Sequence, residues 1–182
     1  MMKANTAITL CLLGCLLSAC AHTVQPLTPS ATLTAPDDTT PDYATAPLDR
    51  STPQATAYSL MIAMYRGDPA MADAIFAPDA RLIRLRRDGR VDPNGLSSWR
   101  EWVGTLDVGQ AEEELFDLEV KQSGKLASVW APFVIRVDGV VRGCGVNHLT
   151  MADMGEDGAS EWRIVSGIDV QAEGCEEFRD RY

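Results

Sequence analysis

LASVWAPFVIRVDGVVRGCGVNHLTM, residues 126–151, predicts two long β-strands joined by a tight turn at Asp138-Gly139. An Asp-Gly pair between apolar runs is a strong hairpin signal, because a type I′ turn needs positive φ at both central residues. With these two residues at the turn, Phe133 lies opposite Cys144. The sequence therefore predicts a β-hairpin at the centre of the fold.

Opposed residues of a hairpin share one face of the sheet, so this pairing divides the two strands into two sets. The set on one face is mainly apolar and includes Val129, Phe133, Cys144, Val146 and His148. The set on the other face includes Trp130, Val134, Leu149 and Met151, which we expect to supply a dimer interface if that face is convex. Gly143 and Gly145 invite a β-bulge, and a bulge would shift the register of the pairs beyond it.

The N-terminus has one early charge, Lys3, followed by an apolar run that is too short to span a bilayer and is typical of a secretory signal. Leu17-Ser18-Ala19 followed by Cys20 resembles the lipobox of bacterial lipoproteins. The resemblance implies a signal peptide of residues 1–19 and acyl chains such as palmitate on Cys20. The alternative is an ordinary secretory signal whose cysteine is accidental. Ala21 in place of Asp after the cysteine implies an outer-membrane location facing the periplasm.

Residues 20–50 contain five prolines among many threonines and show no apolar periodicity. This composition predicts a disordered tether, with Tyr43 as a solvated linker residue. Without Lys3 the chain keeps 15 basic and 26 acidic residues, a net charge of −11. Such a surface repels phosphate backbones, so we expect no nucleic-acid partner. The remaining residues, 51–182, are numerous enough for one domain with its own core.

The chain has five cysteines, and only two of them belong to the predicted domain. Cys11 and Cys15 leave with the signal peptide, and Cys20 carries the lipid. In an oxidising envelope, Cys144 and Cys175 are candidates for one disulfide. Two unpaired thiols are the alternative, because Cys144 lies in mid-strand and Cys175 lies in a tail beyond the last predicted strand.

Apolar spacing and capping residues predict three helices ahead of the hairpin. They run from Thr52-Pro53 to Gly67, from Asp68-Pro69 to Ala74 or Phe76, and from Ser97 or Ser98 to Leu106. Further strands are predicted at residues 81–87, as an edge strand, and at 112–122 and 162–171. This element order predicts an α+β fold with a curved antiparallel sheet of about four to six strands and three helices on its concave face.

Short motifs along the chain resemble those of a known superfamily. Residues 67–69 (GDP), followed by 76–82 (FAPDARL), look like the opening of NTF2-like (SnoaL-like) domains. Residues 129–133 (VWAPF), 137–139 (VDG), 144–147 (CGVN), 162–164 (WRI) and Asp169 resemble its lumazine-binding-type branch. The resemblance covers roughly residues 52–171 and implies a cone with an apolar pocket between sheet and helices.

That branch often has Ser-His before Cys-Gly-Val, where this chain has Arg142-Gly143, so no role of that histidine carries over. The candidate pocket residues are Tyr58, Tyr65, Trp99, Trp102, Phe133, Cys144 and His148, with core packing as the alternative for the aromatic members. Asp169 and His148 are candidate catalytic bases, because burial tunes the pKa of such groups. The alternatives are a hydrogen-bonded His148 at a sheet end and an Asp169 paired with Arg163 or Arg142.

One domain histidine and two cysteines are too few ligands for a zinc site, so we expect no metal and no cofactor. We expect an envelope-anchored, non-catalytic NTF2-like lipoprotein that forms a homodimer. It would bind a small apolar or aromatic ligand or serve as an assembly module. The alternative is an isomerase- or dehydratase-like enzyme with a pocket acid or base, which the missing neighbouring histidine disfavours.

Overall fold

The computed structural model describes residues 32–33 and 40–182. The predicted signal peptide, Cys20 and most of the predicted tether lie outside the described residues. The described part folds into three α-helices, a curved and open sheet, and a short 3₁₀ helix, Arg179–Arg181. No helix within it is long and apolar enough to cross a membrane.

The three helices are α1 (Pro53–Tyr65), α2 (Pro69–Ile75) and α3 (Gly95–Val103). The first two begin as the sequence predicts, because their N-cap side chains bind free amides of the first turn. Thr52 Oγ1 accepts a hydrogen bond from the Ala55 amide at 3.0 Å, and Asp68 Oδ1 accepts one from the Met71 amide at 2.9 Å. Gly67 follows α1 with a φ of +60°, a conformation that costs glycine little because it has no Cβ.

Helix α3 begins and ends a few residues earlier than the sequence predicts. Trp99 is buried in the core and meets the ring of Phe76 edge-on, with 6.2 Å between the ring centroids. Trp102 is only partly buried. The apolar spacing of the two tryptophans therefore indicates the helix and its inner face correctly, although its ends are displaced.

The strands are β1 (Thr32–Leu33), β2 (Phe76–Leu85), β3 (Val91–Asp92), β4 (Ala111–Leu115), β5 (Glu119–Ser123), β6 (Leu126–Val137), β7 (Val140–Asp153) and β8 (Trp162–Gln171). Their order across the sheet is β1-β5-β6-β7-β8-β2-β3, and β4 also pairs with β6. The predicted strand 112–122 is broken at Asp117, whose φ is +45°, so β4 and β5 occupy one position beside β6.

The sheet is mixed, because β2 runs parallel to β8. The prediction of an all-antiparallel sheet was therefore wrong. Consecutive strands with short turns must be antiparallel, but β2 meets β8 from a distant part of the chain. Its direction is set by how the helices carry the chain across the sheet, and residue periodicity does not encode that path.

The central hairpin forms its predicted turn, with φ of +53° at Asp138 and +72° at Gly139. The register then shifts by one residue at Arg142, so that Ile135 lies opposite Gly143 and Phe133 lies opposite Gly145. This bulge makes the predicted pairing of Phe133 with Cys144 wrong. A one-residue shift moves every side chain beyond it to the other face of the sheet.

The shift corrects the predicted faces of β7. Cys144, Val146 and His148 lie on the convex face with Trp130 and Val134, whereas Asn147, Leu149 and Met151 lie on the concave face with Val129 and Phe133. The concave face carries the main core, which includes Val129, Leu149, Met151 and most of α1. Leu149 and Met151 are therefore buried and cannot contribute to a dimer interface.

A second, smaller core lies on the convex face beneath residues 172–182, which we call the C-terminal cap. Phe178 of the cap packs with Phe116, Val134, Cys144 and Val146. Val134 is therefore covered and is not available to the predicted dimer interface. Cys144 is bonded to Cys175, with an S–S distance of 2.15 Å and a Cα–Cα distance of 5.3 Å.

Two features hold the C-terminal cap against the convex face. Burying Phe178 contributes about 2–3 kcal/mol, and a disulfide that closes a loop of 31 residues adds about 3–4 kcal/mol. The bond is the larger of these two contributions.

The residues just before α1 are packed against the domain, which therefore begins earlier than the predicted boundary at Ser51. Tyr43 is 5% exposed, so the prediction of a solvated linker residue was wrong. Its hydroxyl donates a hydrogen bond to the Glu113 carbonyl at 3.1 Å, and Arg66 donates to the carbonyl oxygens of Tyr43, Ala44 and Ala46. These contacts are long-range, which is why local composition did not reveal them.

Candidate functional site

The concave face holds a group of buried polar side chains at the centre of the sheet. Asn147 and Asp169 are opposed on β7 and β8, and Arg84 lies beside Asp169 on β2. Glu113 reaches the group from β4, two rows along the sheet. Gly145 lies on β7 between these two rows. We call these four residues the concave polar group.

Asp169 is paired with an arginine, but not with either arginine suggested by the sequence. Arg84 Nε donates a hydrogen bond to Asp169 Oδ2 at 2.8 Å. Arg163 instead pairs with Glu161, and Arg142 lies in the exposed bulge. Burial raises the pKa of Asp169, and the Arg84 guanidinium acts in the opposite direction. Asp169 Oδ1 has no hydrogen-bond partner among the described residues.

Glu113 is buried and carries the most altered acidity of the concave polar group. Its Oε1 accepts a hydrogen bond from Asn147 Nδ2 at 2.8 Å. Burial, together with the negative charge of Asp169, raises the pKa of Glu113 to about 8. At neutral pH its carboxyl group is therefore mainly protonated, which relieves the cost of a second buried charge near Asp169.

Glu113 and Asn147 are not among the site residues predicted from the sequence. Asn147 was assigned to the opposite face because the bulge at Arg142 was absent from the predicted register. Glu113 carries a weak signal, since it shares the parity of the buried Ala111 and Leu115 along β4. That alternation, read with care, would have placed one glutamate on the inner face of the sheet.

His148 lies on the convex face and is hydrogen-bonded, as one alternative anticipated. Its Nε2 is 2.9 Å from Ser128 Oγ, and its ring is 6.0 Å from that of Trp130. The three residues line a shallow cleft of about 300 Å³ together with Glu119 and Lys121. His148 and Cys144 are thus wrong as residues of a concave pocket, because the one-residue bulge turns both outward.

An apolar row crosses the same convex face. Ile83, Ile168, His148 and Trp130 are consecutive neighbours on β2, β8, β7 and β6. Ile83, Ile168 and Trp130 are 37%, 41% and 43% exposed. Four strands at their usual spacing make this row roughly 14 Å long. We call these four residues the convex row.

No protein-family model matches the chain, and a comparison with curated proteins finds no match. Solved structures do share its architecture. A protein of the NTF2-like family from Streptomyces avermitilis has 16% identity and a TM-score of 0.52 over 65% of this chain and 92% of its own. An NTF2-like protein of unknown function from Silicibacter pomeroyi has 19% identity and a TM-score of 0.50 over 65% of this chain and 92% of its own.

A third structure, a protein of unknown function with a cystatin-like fold from Nostoc punctiforme, has 10% identity and a TM-score of 0.52 over 66% of this chain and 89% of its own. The chain has the NTF2-like fold. The α+β cone predicted from the motifs is therefore confirmed. Identities of this size establish the architecture and leave the activity of the NTF2-like domain to be argued from its own side chains.

The interior of this NTF2-like cone is filled mainly by its own aromatic and aliphatic side chains. Tyr58, Trp99 and Phe133 are buried in the main core, and Tyr65 and Trp102 pack at its margin. Tyr65 also meets the ring of Tyr43 at 6.1 Å. Glu113, Asn147 and Asp169 line none of five surface clefts on the described part of the chain, each of which is lined by other residues.

The chemistry of the NTF2-like domain follows from these two faces. The concave polar group contains a protonated acid beside a carboxylate, a combination suited to proton transfer, but Asn147 and Arg84 already bind these groups. Across residues 40–182 the acidic, histidine and cysteine side chains form no group of three that could hold a metal ion. The convex row, in contrast, is exposed and available for contact.

Proposed function

We propose that this protein is an envelope lipoprotein whose NTF2-like domain acts as a non-catalytic assembly module and pairs with a second copy through the convex row. The exposure of Ile83, Ile168 and Trp130 on adjacent strands carries the proposal. Leu126 and Val170 extend the exposed apolar surface on the same face. A continuous apolar face of this kind on a soluble domain is typical of an interaction surface.

A second copy of the chain fits this surface because a sheet face is self-complementary. Two sheet faces can pack with their apolar side chains between them, and a two-fold axis gives both copies the same contacts. The domain would be attached to the periplasmic face of the outer membrane through acyl chains on Cys20. The segment after Cys20 would leave the sheet faces free to meet above the membrane.

The oligomeric state tests the proposal directly. The chain carrying Cys20→Ser, which has no acylation site, should sediment as a concentration-dependent dimer. Ile168→Lys places a charge in the middle of the convex row and should weaken the dimer at least about tenfold, because an unpaired charge in an apolar interface is costly. Val108→Lys, at an exposed apolar site in the loop before β4, is the matched control and should leave the dimer unchanged.

A monomer at the highest soluble concentration, or equal dimer dissociation constants for Ile168→Lys and Val108→Lys, would refute the proposed interface. Circular dichroism spectra of the two variants should match, so that a loss of association reflects the surface and not the fold.

The concave polar group supports one second candidate, an isomerase- or dehydratase-like enzyme with Glu113 and Asp169 as its acid and base. The buried, protonated Glu113 beside Asp169 favours it. This candidate and the binding of a small apolar or aromatic ligand both require a molecule inside the cone. Organic extraction of the purified protein, followed by mass spectrometry of the extract, distinguishes them from the assembly module. A small molecule that is present in equal amount to the protein, and absent from Glu113→Leu, would indicate a ligand on the concave face.

A further inference from the structure

The C-terminal cap covers an apolar patch that is continuous with the convex row. The patch consists of Phe116, Val134 and Val146, all buried beneath Phe178. Val146 lies opposite Val170 on the convex face and is two residues from His148 on the same strand. If the cap were absent, the exposed apolar surface would run without interruption from Ile83 to Phe116.

Few contacts beyond the disulfide and Phe178 hold the cap in place. Arg179 forms an ion pair with Glu114 at 2.5 Å, but its own side chain is 60% exposed. Tyr182 contacts the rings of Phe116 and Phe178 while remaining largely exposed. Such exposed contacts contribute little to stability. Closure of the cap therefore depends on the bond between Cys144 and Cys175.

The two sulfur atoms of that bond differ in their exposure. Cys144 is fully buried in the second core, whereas Cys175 is partly exposed and packs at its margin. Cys175 lines a surface cleft of about 460 Å³ with Arg87, Arg142, Glu176 and Glu177. A thiol or disulfide from solution therefore reaches Cys175 Sγ first.

We infer that the C-terminal cap is a redox latch: thiol–disulfide exchange at Cys175 closes it over the patch of Phe116, Val134 and Val146, and so limits the surface open to a second copy. The role in association rests on the proposed self-association through the convex row. In a reducing compartment the patch is open, and in an oxidising one it is covered.

Closure proceeds in two exchange steps with a partner protein that carries a disulfide. The Cys175 thiolate attacks one partner sulfur, which forms a mixed disulfide and releases the other partner sulfur as a thiolate. The Cys144 thiolate then attacks Cys175 Sγ, which forms the internal disulfide and releases the second partner thiolate. The two cysteine thiols are oxidised, the partner disulfide is reduced to a dithiol, and the two protons move to the partner thiolates.

Opening is the reverse reaction with a dithiol. Attack on the exposed Cys175 expels Cys144 as a thiolate within an apolar core, where the charged form is disfavoured. Closing uses the same Cys144 thiolate as its nucleophile, so exchange between Cys144 and Cys175 is the demanding step in both directions.

Hydrogen exchange on the full chain carrying Cys20→Ser tests the latch. Reduction with dithiothreitol should speed amide exchange in residues 172–182 at least about tenfold and leave β6 unchanged. Cys175→Ser should show the fast exchange without reductant, and adding reductant should then change nothing. Phe178→Ala keeps the disulfide at Cys175. In this variant the rate of amide exchange should therefore rise in the residues after Glu176 but not at Ala172.

Unchanged amide exchange in residues 172–182 after reduction would overturn the latch. An equal rise in the exchange rate of β6 would also overturn it, because the disulfide would then stabilise the whole domain and not the cap alone. Sedimentation then separates this inference from the proposed function. The reduced chain and Cys175→Ser should have a dimer dissociation constant at least about fivefold lower than the oxidised chain. Equal constants in both redox states refute the latch as a control of association, whereas an oxidised monomer refutes the proposed self-association itself.

Discussion

Glu113 and Asp169 are two carboxyl groups in one buried region, and their different partners give them different protonation states. Asp169 is compensated by the Arg84 guanidinium at 2.8 Å. Glu113 has a neutral partner, the amide of Asn147, and burial raises its pKa to about 8. Two like charges in a region of low dielectric are unfavourable, so the proton resides on the group without a cation.

The raised pKa of Glu113 makes stability depend on pH in a defined window. The folded state keeps the Glu113 proton up to about pH 8, whereas the unfolded chain loses it near its ordinary value of 4.5. Stability from this group is fully present below pH 4.5 and is lost as the pH rises to 8, by up to about 1.4 kcal/mol for each pH unit. Denaturant unfolding across this pH range should show the decline.

Glu113→Gln is the variant that isolates this effect, because it keeps a carbonyl oxygen for Asn147 and cannot ionise. Its free energy of unfolding should decline much less through the same window, because only Asp169 of the two carboxyl groups then keeps a raised pKa. Glu112→Gln, at the exposed neighbouring position, is the matched control and should keep the slope of the unmodified chain. Equal slopes for all three proteins would show that Glu113 is ionised in the folded state.

Strand β7 shows how one extra residue decides which side chains face the core. The bulge at Arg142 turns Asn147, Leu149 and Met151 inward and His148 outward. Two glycines lie just beyond it, and they tolerate side chains very differently. A Cβ atom at Gly145 would lie 2.0 Å from the Val170 carbonyl oxygen, whereas one at Gly143 would meet only the Ile135 side chain at 3.2 Å.

The two glycines therefore allow a matched comparison. Gly145→Ala should lower the free energy of unfolding by roughly 1–3 kcal/mol, because the Val170 backbone must move to make room. Gly143→Ala should cost much less, since the flexible Ile135 side chain can move. Urea denaturation of both variants measures the difference. Similar losses would mean that β7 does not approach β8 as closely as described.

For the whole molecule, the two faces of the sheet have different surroundings. The domain presents the convex row on one face and covers the other with its helices. The proposed acylation site at Cys20 and the proposed assembly surface lie on separate parts of the chain, so each can be tested without the other.

Acylation of Cys20 can be measured without reference to the domain. Cells expressing the chain should incorporate labelled palmitate into it, and Cys20→Ser should abolish the labelling and release the protein from washed membranes. Each buried CH₂ group of an acyl chain contributes about 0.8 kcal/mol to the free energy of membrane binding. Loss of the acyl chains should therefore release most of the protein from the membrane. Cys15→Ser, within the predicted signal peptide, is the control and should remain labelled. Labelling that persists in Cys20→Ser would exclude the lipobox interpretation.

Local chemistry in the sequence was sufficient for the turn at Asp138-Gly139, the starts of α1 and α2, and the α+β order of elements. Each of these depends on residues that are close together in the chain, such as an N-cap and its amide three residues on. The motifs were also sufficient for the cone-shaped fold.

Tertiary structure alone decided the residues that meet from distant parts of the chain. The partner of Asp169 is Arg84, 85 residues away, and the Glu113 backbone carbonyl accepts a hydrogen bond from Tyr43, 70 residues away. The two glycines indicated that a bulge could form in β7, but its position at Arg142 and the register beyond it are seen only in the paired strands. Side chains alternate between the two faces of a strand at every residue. That single shift therefore exchanged the faces of the β7 residues beyond Arg142, and with them the composition of the surface on which function is proposed.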